Sequence, residues 1–315
     1  MNEKLKGTLC GIIAAVCYGC NPLGALPLYS MGIGACSVLF YRFGLAVVLL
    51  GLIMAVQGKS FAVTRAELAI LGCLGVLFAS SSLSLFFSFY FMSAGIASTI
   101  LFVYPVMVAV IMALVFKERV TVSTVLSIAL ALAGIGLLYK GDNGTALSAT
   151  GVGLVMISSL TYALYIIIVN KSPLRMSSIK LTFYVLIFAT ITVALTSTTQ
   201  PENHLQLLRT PMQWALGLMM ALVPTVLSLM LMVVAVHTIG STPTAIMGAL
   251  EPVTAVVISV LLFGEAFTVR LAAGIVLILA AVMLIVAGKS IHFGGLTRVT
   301  SPLGHLLVKL WRWKS

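Results

Sequence analysis

Long apolar runs separated by short polar segments cover most of this 315-residue chain. A helix of about 20 apolar residues crosses the hydrocarbon core of a bilayer, which is about 30 Å thick. Because the runs are continuously apolar rather than alternating, they predict helices and exclude a transmembrane β-barrel. We predict an all-α polytopic membrane protein with ten transmembrane helices, at residues 7–26, 33–56, 67–91, 94–116, 120–139, 150–170, 178–198, 212–237, 241–263 and 269–288.

Composition supports this prediction. The chain is 61% hydrophobic and 8% charged, whereas soluble domains carry about 25% charged residues. The net charge of +11 raises the question of nucleic-acid binding, but the basic residues lie between the apolar runs and form no patch interleaved with aromatic residues. We therefore expect the lipid bilayer and a small-molecule substrate as partners, and no nucleic acid. The sequence carries no signal for an oligomeric state.

The positions of lysine and arginine predict the orientation, because cytoplasmic loops carry an excess of both. With the N-terminus inside, fourteen of the 18 basic residues face the cytoplasm and three face outward. Both termini are then cytoplasmic. Residues 289–315 form a cytoplasmic tail in which Leu303, Leu306, Leu307, Leu310 and Trp311 recur at helical spacing. An interfacial helix and a flexible basic tail are the two interpretations of this tail.

An internal repeat divides the chain. Residues 97–121 match residues 244–268, and Pro105 pairs with Pro252 at the same 147-residue offset that pairs Glu118 with Glu265. A proline inside a spanning helix and an acid just past its end are both uncommon, so their joint recurrence indicates duplication. We predict two five-helix repeats, at residues 1–141 and 150–288. Because five is odd, the second repeat is inverted in the membrane, which is a recurrent plan of secondary transporters.

These residues resemble the drug/metabolite transporter superfamily, in the branch built of two EamA-type domains. The resemblance rests on the Tyr104-Pro105-Val106 and Glu251-Pro252-Val253 motifs, on the glutamate-to-threonine segments 118–121 and 265–268, and on the ten-span layout. It covers about residues 7 to 288. It implies a carrier that uses no ATP, has a central cavity between its halves, and belongs to a group of exporters of amino acids and other metabolites in the bacterial inner membrane.

Two ionisable residues fall near the middle of predicted helices, where a charge costs about 2.5–3.5 kcal/mol to insert. They are Arg42 and Glu251. A structural ion pair or snorkelling is one interpretation. The functional interpretation places both residues at a substrate site, where the planar fork of Arg42 suits a carboxylate and Glu251 suits a proton taken from the membrane gradient.

Further candidates for a cavity lining are aromatic or polar residues on helix faces near these charges. Pro105 and Pro252 are candidate hinges because each removes a backbone donor within a helix. Interfacial aromatic belts and close helix packing by small hydroxyl residues are the alternatives for the others. The remaining candidate substrate-binding residues are Tyr18, Asn21, Tyr104, Tyr162, Tyr165, Tyr90, His237, Ser81 and Ser84.

Enzyme chemistry has no motif in this chain. Phosphate-loop, H-E-x-x-H and G-x-S-x-G patterns are missing, and the four histidines are scattered. We expect no metal and no cofactor, and we interpret Cys17 and Cys20 as apolar helix residues rather than a redox or metal pair. The sequence predicts a secondary transporter that exports an amino acid or similar metabolite by alternating access. Uptake or exchange, a channel and an intramembrane enzyme are the alternatives.

Overall fold

The structure is a computed structural model that describes residues 3–117, 122–139, 147–174, 176–199, 204–240, 244 and 247–290. These described residues are helical and contain no strand. The predicted interfacial helix of the tail lies outside them. The helices are α1 Glu3–Gly19, α2 Asn21–Ser30, α3 Ala35–Val56, α4 Arg65–Ser88, α5 Ala94–Leu101, α6 Tyr104–Val115, α7 Val122–Tyr139, α8 Ala149–Lys171, α9 Ser178–Thr199, α10 Pro211–Ala221, α11 Ser228–Ile239, α12 Leu250–Phe263 and α13 Val269–Ser290.

These helices form ten apolar units at the positions that the sequence predicts. Seven helical stretches of the described residues are long and apolar enough to span a bilayer, and three shorter apolar helices lie within α7, α12 and α13. Four of the units are interrupted. In three of them α1 continues into α2, α5 into α6, and α10 into α11 through a π-helical segment at Leu222–Leu227, and in the fourth two turn residues, 248–249, precede α12. The all-α, ten-span prediction is confirmed. The first unit is longer than predicted, since it covers Glu3–Ser30.

Polar residues at the helix starts satisfy backbone donors that the helices leave free. Thr64 and Glu67 form a capping box at α4, and Thr210 and Gln213 form another at α10. The Ser93 hydroxyl accepts from the third amide of α5. These capping residues lie in the polar segments between apolar runs, so each loop directs its chain into the next helix.

Prolines explain where the spans are interrupted. A proline cannot bond the carbonyl four residues earlier and crowds it. Two of the breaks consist of two turn residues just before a proline: 102–103 before Pro105, and 248–249 before Pro252. Pro22 follows the break between α1 and α2, and Pro224 lies inside the π-helical segment. The helices are therefore interrupted at both prolines that the sequence analysis identifies, and at two others.

The helix packing is the same when the two halves of the chain are exchanged. The α3–α9, α5–α12 and α7–α13 contacts each join one helix to its equivalent in the other half. The α4–α8 contact corresponds to the α11–α1 contact, and the α4–α9 contact to the α10–α3 contact. The contact of α8 with α5 and α6 likewise corresponds to that of α1 with α12. The broken helices meet at the centre of this arrangement, where they enclose a cavity.

Candidate functional site

The central cavity lies between the broken ends of α1, α5 and α12 and the faces of α3, α4 and α8. Its volume of about 40 Å³ exceeds the roughly 10–15 Å³ that one water molecule needs. It is far below the roughly 300–1,000 Å³ of pockets that hold drug-sized ligands. A metabolite therefore fits only when the walls move apart. Eight of the sequence candidates line this cavity: Tyr18, Asn21, Arg42, Ser81, Tyr104, Tyr162, Glu251 and Pro252.

Arg42 reaches the cavity from α3 and is 2% exposed. Its Nε donates a hydrogen bond to Thr225 Oγ1 at 3.0 Å. The guanidinium carbon lies 5.9 Å from the ring centroid of Tyr18, 5.5 Å from that of Phe43 and 5.7 Å from that of Phe86. Aromatic faces within about 6 Å attract a cation, and the Tyr18 hydroxyl is a further hydrogen-bond partner of the guanidinium. The protein therefore stabilises this buried charge with ring faces and with the hydroxyls of Thr225 and Tyr18.

Glu251 reaches the same cavity from the first turn of α12. Among the described residues, its carboxylate has no hydrogen-bond or ion-pair partner, and no ion pair within 4.0 Å joins it to Arg42. The equivalent residue of the first repeat, Tyr104, lies in the same lining. The side chain is half-buried, and removing an unpaired charge from water is costly, so this carboxylate is available to a proton or a donor that enters the cavity.

Polar side chains bond three of the four carbonyls that the prolines release, and the fourth accepts from a backbone amide. Asn21 Nδ2 donates to the Tyr18 carbonyl at 2.7 Å. Ser159 Oγ donates to the Leu101 carbonyl at 3.2 Å, and Thr225 Oγ1 donates to the Met220 carbonyl at 3.0 Å. The Gly248 carbonyl accepts from the Glu251 amide at 2.9 Å.

Asn21 also contributes an unpaired acceptor to the site. Its side chain is 5% exposed, and while its nitrogen bonds the Tyr18 carbonyl, its Oδ1 has no hydrogen-bond partner. A buried polar atom without a partner is unusual in native structures. Since Asn21 lines the cavity, Oδ1 is placed to accept a hydrogen bond from a molecule inside it.

Tyrosines form one wall of the cavity. Tyr104 and Tyr162 meet edge to face, with ring centroids 4.7 Å apart. Tyr165 stacks on Tyr162 at 5.7 Å and also contacts Phe78, but it is not part of the lining. It therefore supports Tyr162 from behind.

Ser81 both lines the cavity and joins two helices. Its Oγ donates to the Ser158 carbonyl at 3.0 Å, and Ser158 Oγ donates to the Ser81 carbonyl at 2.7 Å. Ser84 lies on α4 but outside the lining. The alternative interpretation of the serine run, close contact between helices, describes one part of what Ser81 does.

Three other candidates lie away from the cavity lining: Tyr90 and His237 because the helix rise carries them along the span, and Pro105 because the turn of the helix directs it away from its lining neighbour Tyr104. Tyr90 stacks on Tyr29, with ring centroids 4.8 Å apart, and its hydroxyl accepts from the Ala35 amide. His237 lies in the last turn of α11 and is exposed. Pro105 begins α6 but does not line the cavity.

Sequence reasoning overlooked Thr225, Ser158 and Ser159. The signal for Thr225 was the Pro224-Thr225 pair inside an apolar run, since a hydroxyl beside a proline often bonds the released carbonyl. Ser158 and Ser159 had the appearance of ordinary small helix residues. Among the described residues, no group of three or more histidine, cysteine or acidic side chains is placed to hold a metal ion.

Comparison with known proteins assigns the chain to a family. The profile of the EamA-like transporter family matches residues 5–140 and again residues 149–287. The chain belongs to the EamA-like transporter family. The EamA-like protein is thus an integral membrane protein of a transporter family in the drug/metabolite superfamily.

The fold of the EamA-like protein is shared with a solved structure described as "Crystal structure of protein". The TM-score is 0.65 at 14% sequence identity, and the match covers 91% of this chain and 99% of that chain. A search of the curated proteins gives no significant match.

Proposed function

We propose that the protein is a secondary transporter that exports an amino acid or a similar small zwitterionic metabolite across the bacterial inner membrane by alternating access. The observation that carries this proposal is that Arg42 and Glu251 line one cavity without forming an ion pair. A carboxylate suits the first residue and an ammonium group suits the second. A buried Arg42 and a half-buried Glu251 that do not neutralise each other are costly, and a zwitterion compensates both.

The proposed inversion of the second repeat is consistent with alternating access. The packing is unchanged when the halves are exchanged, and the sequence assigns five spans to each half, so we infer a two-fold axis in the membrane plane. Two halves of similar structure then give an inward-open and an outward-open state of similar energy. The cavity of about 40 Å³ corresponds to a closed state between these two.

The proline breaks support movable walls. Pro105 and Pro252 each begin a short helix beside the cavity after an interrupted turn, and hinge residues commonly lie at the ends of elements. Glu251 lies one residue before Pro252. Protonation of this carboxylate, or its contact with an ammonium group, therefore takes place next to a helix break. Binding in the cavity is thereby coupled to movement of α12.

Flux in proteoliposomes tests the proposal. The twenty L-amino acids are screened first, by the shift in melting temperature of the purified protein, because a ligand of the folded state stabilises it. Counterflow of the responding amino acid is then measured for the wild type, Arg42→Ala and Glu251→Gln, with yield and melting temperature recorded. Thr192→Val is the matched control, because its hydroxyl bonds only the Phe188 carbonyl of its own helix.

We expect both cavity variants to lose most of the flux at near-normal yield, and the control to keep it. Normal flux in both cavity variants would refute the assigned roles. Lost yield with normal specific activity would leave a structural role alone. Single-channel currents in the same liposomes would support a channel instead of a carrier.

Orientation is tested separately by cysteine accessibility in a background that lacks the five native cysteines. A cysteine at Lys59 or at Lys171 should react only from the cytoplasmic side, and one at Lys140 only from outside. Labelling of all three from one side would overturn the inverted ten-span arrangement.

A further inference from the structure

We propose that Thr225 is a positioning residue that orients Arg42, so that the two terminal nitrogens of the guanidinium group face the cavity as a fork for a substrate carboxylate. The two residues are 183 positions apart in the chain. Each is 2% exposed. The inference rests on the proposed function for the identity of the ligand group, but not for the geometry of the pair.

The hydroxyl of Thr225 has a defined direction because of Pro224. Proline has no N–H for the carbonyl four residues earlier, and that carbonyl belongs to Met220. Thr225 Oγ1 donates to it at 3.0 Å. A hydroxyl has one proton and two acceptor lone pairs. This bond uses the only proton, so the hydroxyl oxygen can act towards other groups only as an acceptor.

Arg42 uses that acceptor. Its Nε donates to Thr225 Oγ1 at 3.0 Å, which fixes the edge of the guanidinium plane that carries Nε. The flanking rings of Phe43 and Phe86, at 5.5 and 5.7 Å from the guanidinium carbon, limit rotation about the side chain. The other end of the planar group, the pair of terminal nitrogens, then faces the cavity that Arg42 lines. The Tyr18 hydroxyl is a second hydrogen-bond partner of the guanidinium there, and an entering carboxylate displaces it or binds beside it.

This arrangement selects a ligand geometry. A carboxylate can approach arginine along the edge that contains Nε or end-on at the two terminal nitrogens, and both modes form two parallel hydrogen bonds. Thr225 occupies the first edge. A carboxylate of the substrate must therefore approach end-on, from inside the cavity. The Glu251 carboxylate lines the same cavity and can bind another group of the substrate.

The proline–threonine pair at Pro224 and Thr225 has no equivalent in the first half of the chain. At the 147-residue offset, Pro224 corresponds to Leu77, and α4 runs from Arg65 to Ser88 without a break. Since the fold tolerates an unbroken helix at the equivalent place, the proline and threonine of the other half are not needed to build the span.

Transport kinetics test the positioning role with two substitutions. Thr225→Val keeps the shape of the side chain and removes the hydroxyl, and Thr225→Ser keeps the hydroxyl. The probes are the amino acid with the largest thermal shift in the twenty-member panel and the amine formed by removing its carboxyl group. Thr192→Val is again the control for loss of a threonine hydroxyl within a helix.

We expect Thr225→Val to raise the KM for the amino acid by roughly tenfold or more, as for loss of a well-oriented charged hydrogen bond, with the maximal rate within about twofold of wild type. The KM or inhibition constant of the amine should change little. Thr225→Ser should restore most of the affinity. An equal loss for the amino acid and the amine, a loss of rate at unchanged KM, or equal behaviour of the Ser and Val variants would overturn the positioning role.

A second measurement decides the geometry if no amino acid is transported, an outcome that defeats the proposed function. Phenylglyoxal reacts selectively with guanidinium groups, and the modification of Arg42 is followed by peptide mass spectrometry. The rate at which phenylglyoxal modifies Arg42 should change several-fold in Thr225→Val. It should stay near the wild-type rate in Thr225→Ser and Thr192→Val. An unchanged rate in Thr225→Val would show that Thr225 does not hold Arg42.

Discussion

Two equivalent helix contacts flank the cavity, and they are held together in different ways. In the first contact, between α4 and α8, Ser81 and Ser158 exchange hydrogen bonds to each other's carbonyls. In the second, between α11 and α1, the equivalents are Ser228 and Ala14, and a single bond remains, from Ser228 Oγ to the Ala14 carbonyl at 2.8 Å. Ser81 and Ser228 are thus equivalent serines in the two contacts, whereas Ser158 has Ala14 as its equivalent.

Small residues bring the helices of the second contact close together. Gly7 lies close enough to α11 that an added Cβ would meet Thr238 and Ile239 at 2.8 Å, and a Cβ on Gly11 would lie 3.5 Å from Ala235 of the same helix. Small residues allow helix backbones to approach and gain dispersion energy in lipid. The comparison teaches that both contacts keep a close glycine near the helix end, since a Cβ on Gly151 would meet Met92 at 2.8 Å. They differ further along the helix, where the second contact has Gly11 and Ala14 in place of Val155 and Ser158.

The largest expected effect is at a glycine of α1 that packs against α12. A Cβ on Gly19 would lie 2.6 Å from both the Glu251 carbonyl and Thr254 Cβ, so Gly19→Ala should destabilise the protein by roughly 1–3 kcal/mol, as overpacking does. The equivalent residue of α8 is already an alanine, Ala163. Unfolding in mixed detergent micelles measures the difference. Gly153→Ala is the control, because its Cβ would meet nothing within 4 Å; equal losses in both variants would contradict the close-approach argument.

The serine pair should give the next largest effect. Ser81→Ala removes a bond and leaves Ser158 with an altered partner, so we expect a loss of about 1–1.7 kcal/mol, near the upper range for interhelical hydrogen bonds in membranes. Ser228→Ala should cost about 0.6 kcal/mol, close to their average. The free energy of unfolding of the two single variants and of Ser81→Ala/Ser158→Ala gives the coupling. A larger loss for Ser228→Ala than for Ser81→Ala would reverse the proposed division between the two contacts.

The smallest effect concerns the carbonyls at the helix breaks. Ser159→Ala removes the bond to the Leu101 carbonyl and should cost about 0.6 kcal/mol. At the 144-residue offset, Ser159 corresponds to Ala15, which is fully buried. Ala15→Ser should therefore give a hydroxyl to the equivalent break and stabilise the protein by a few tenths of a kcal/mol up to about 0.6. Melting temperatures of both variants check this, and a clear loss in Ala15→Ser would show that the second break has no room for a hydroxyl.

The sequence by itself determined the ten spans, the duplication and the helix breaks at Pro105 and Pro252. These features are local: an apolar run of sufficient length needs lipid, and a proline disrupts its own helix whatever packs beside it. The mid-helix charges Arg42 and Glu251 were also readable, because a charge within an apolar run is conspicuous. Eight of the candidates line the cavity, and their role in transport stays a prediction.

Only the tertiary structure decided which of these residues meet. Helix faces in lipid carry little hydrophobic contrast, so the sequence pattern does not reveal which face contacts which neighbour. The bonds from Arg42 to Thr225, from Ser159 to Leu101 and between Ser81 and Ser158 join segments 183, 58 and 77 residues apart. Tyr165 and Ser84 share helices with lining residues but lie outside the cavity, because the rotation of a helix about its axis is set by small residues and a few polar contacts with distant parts of the chain.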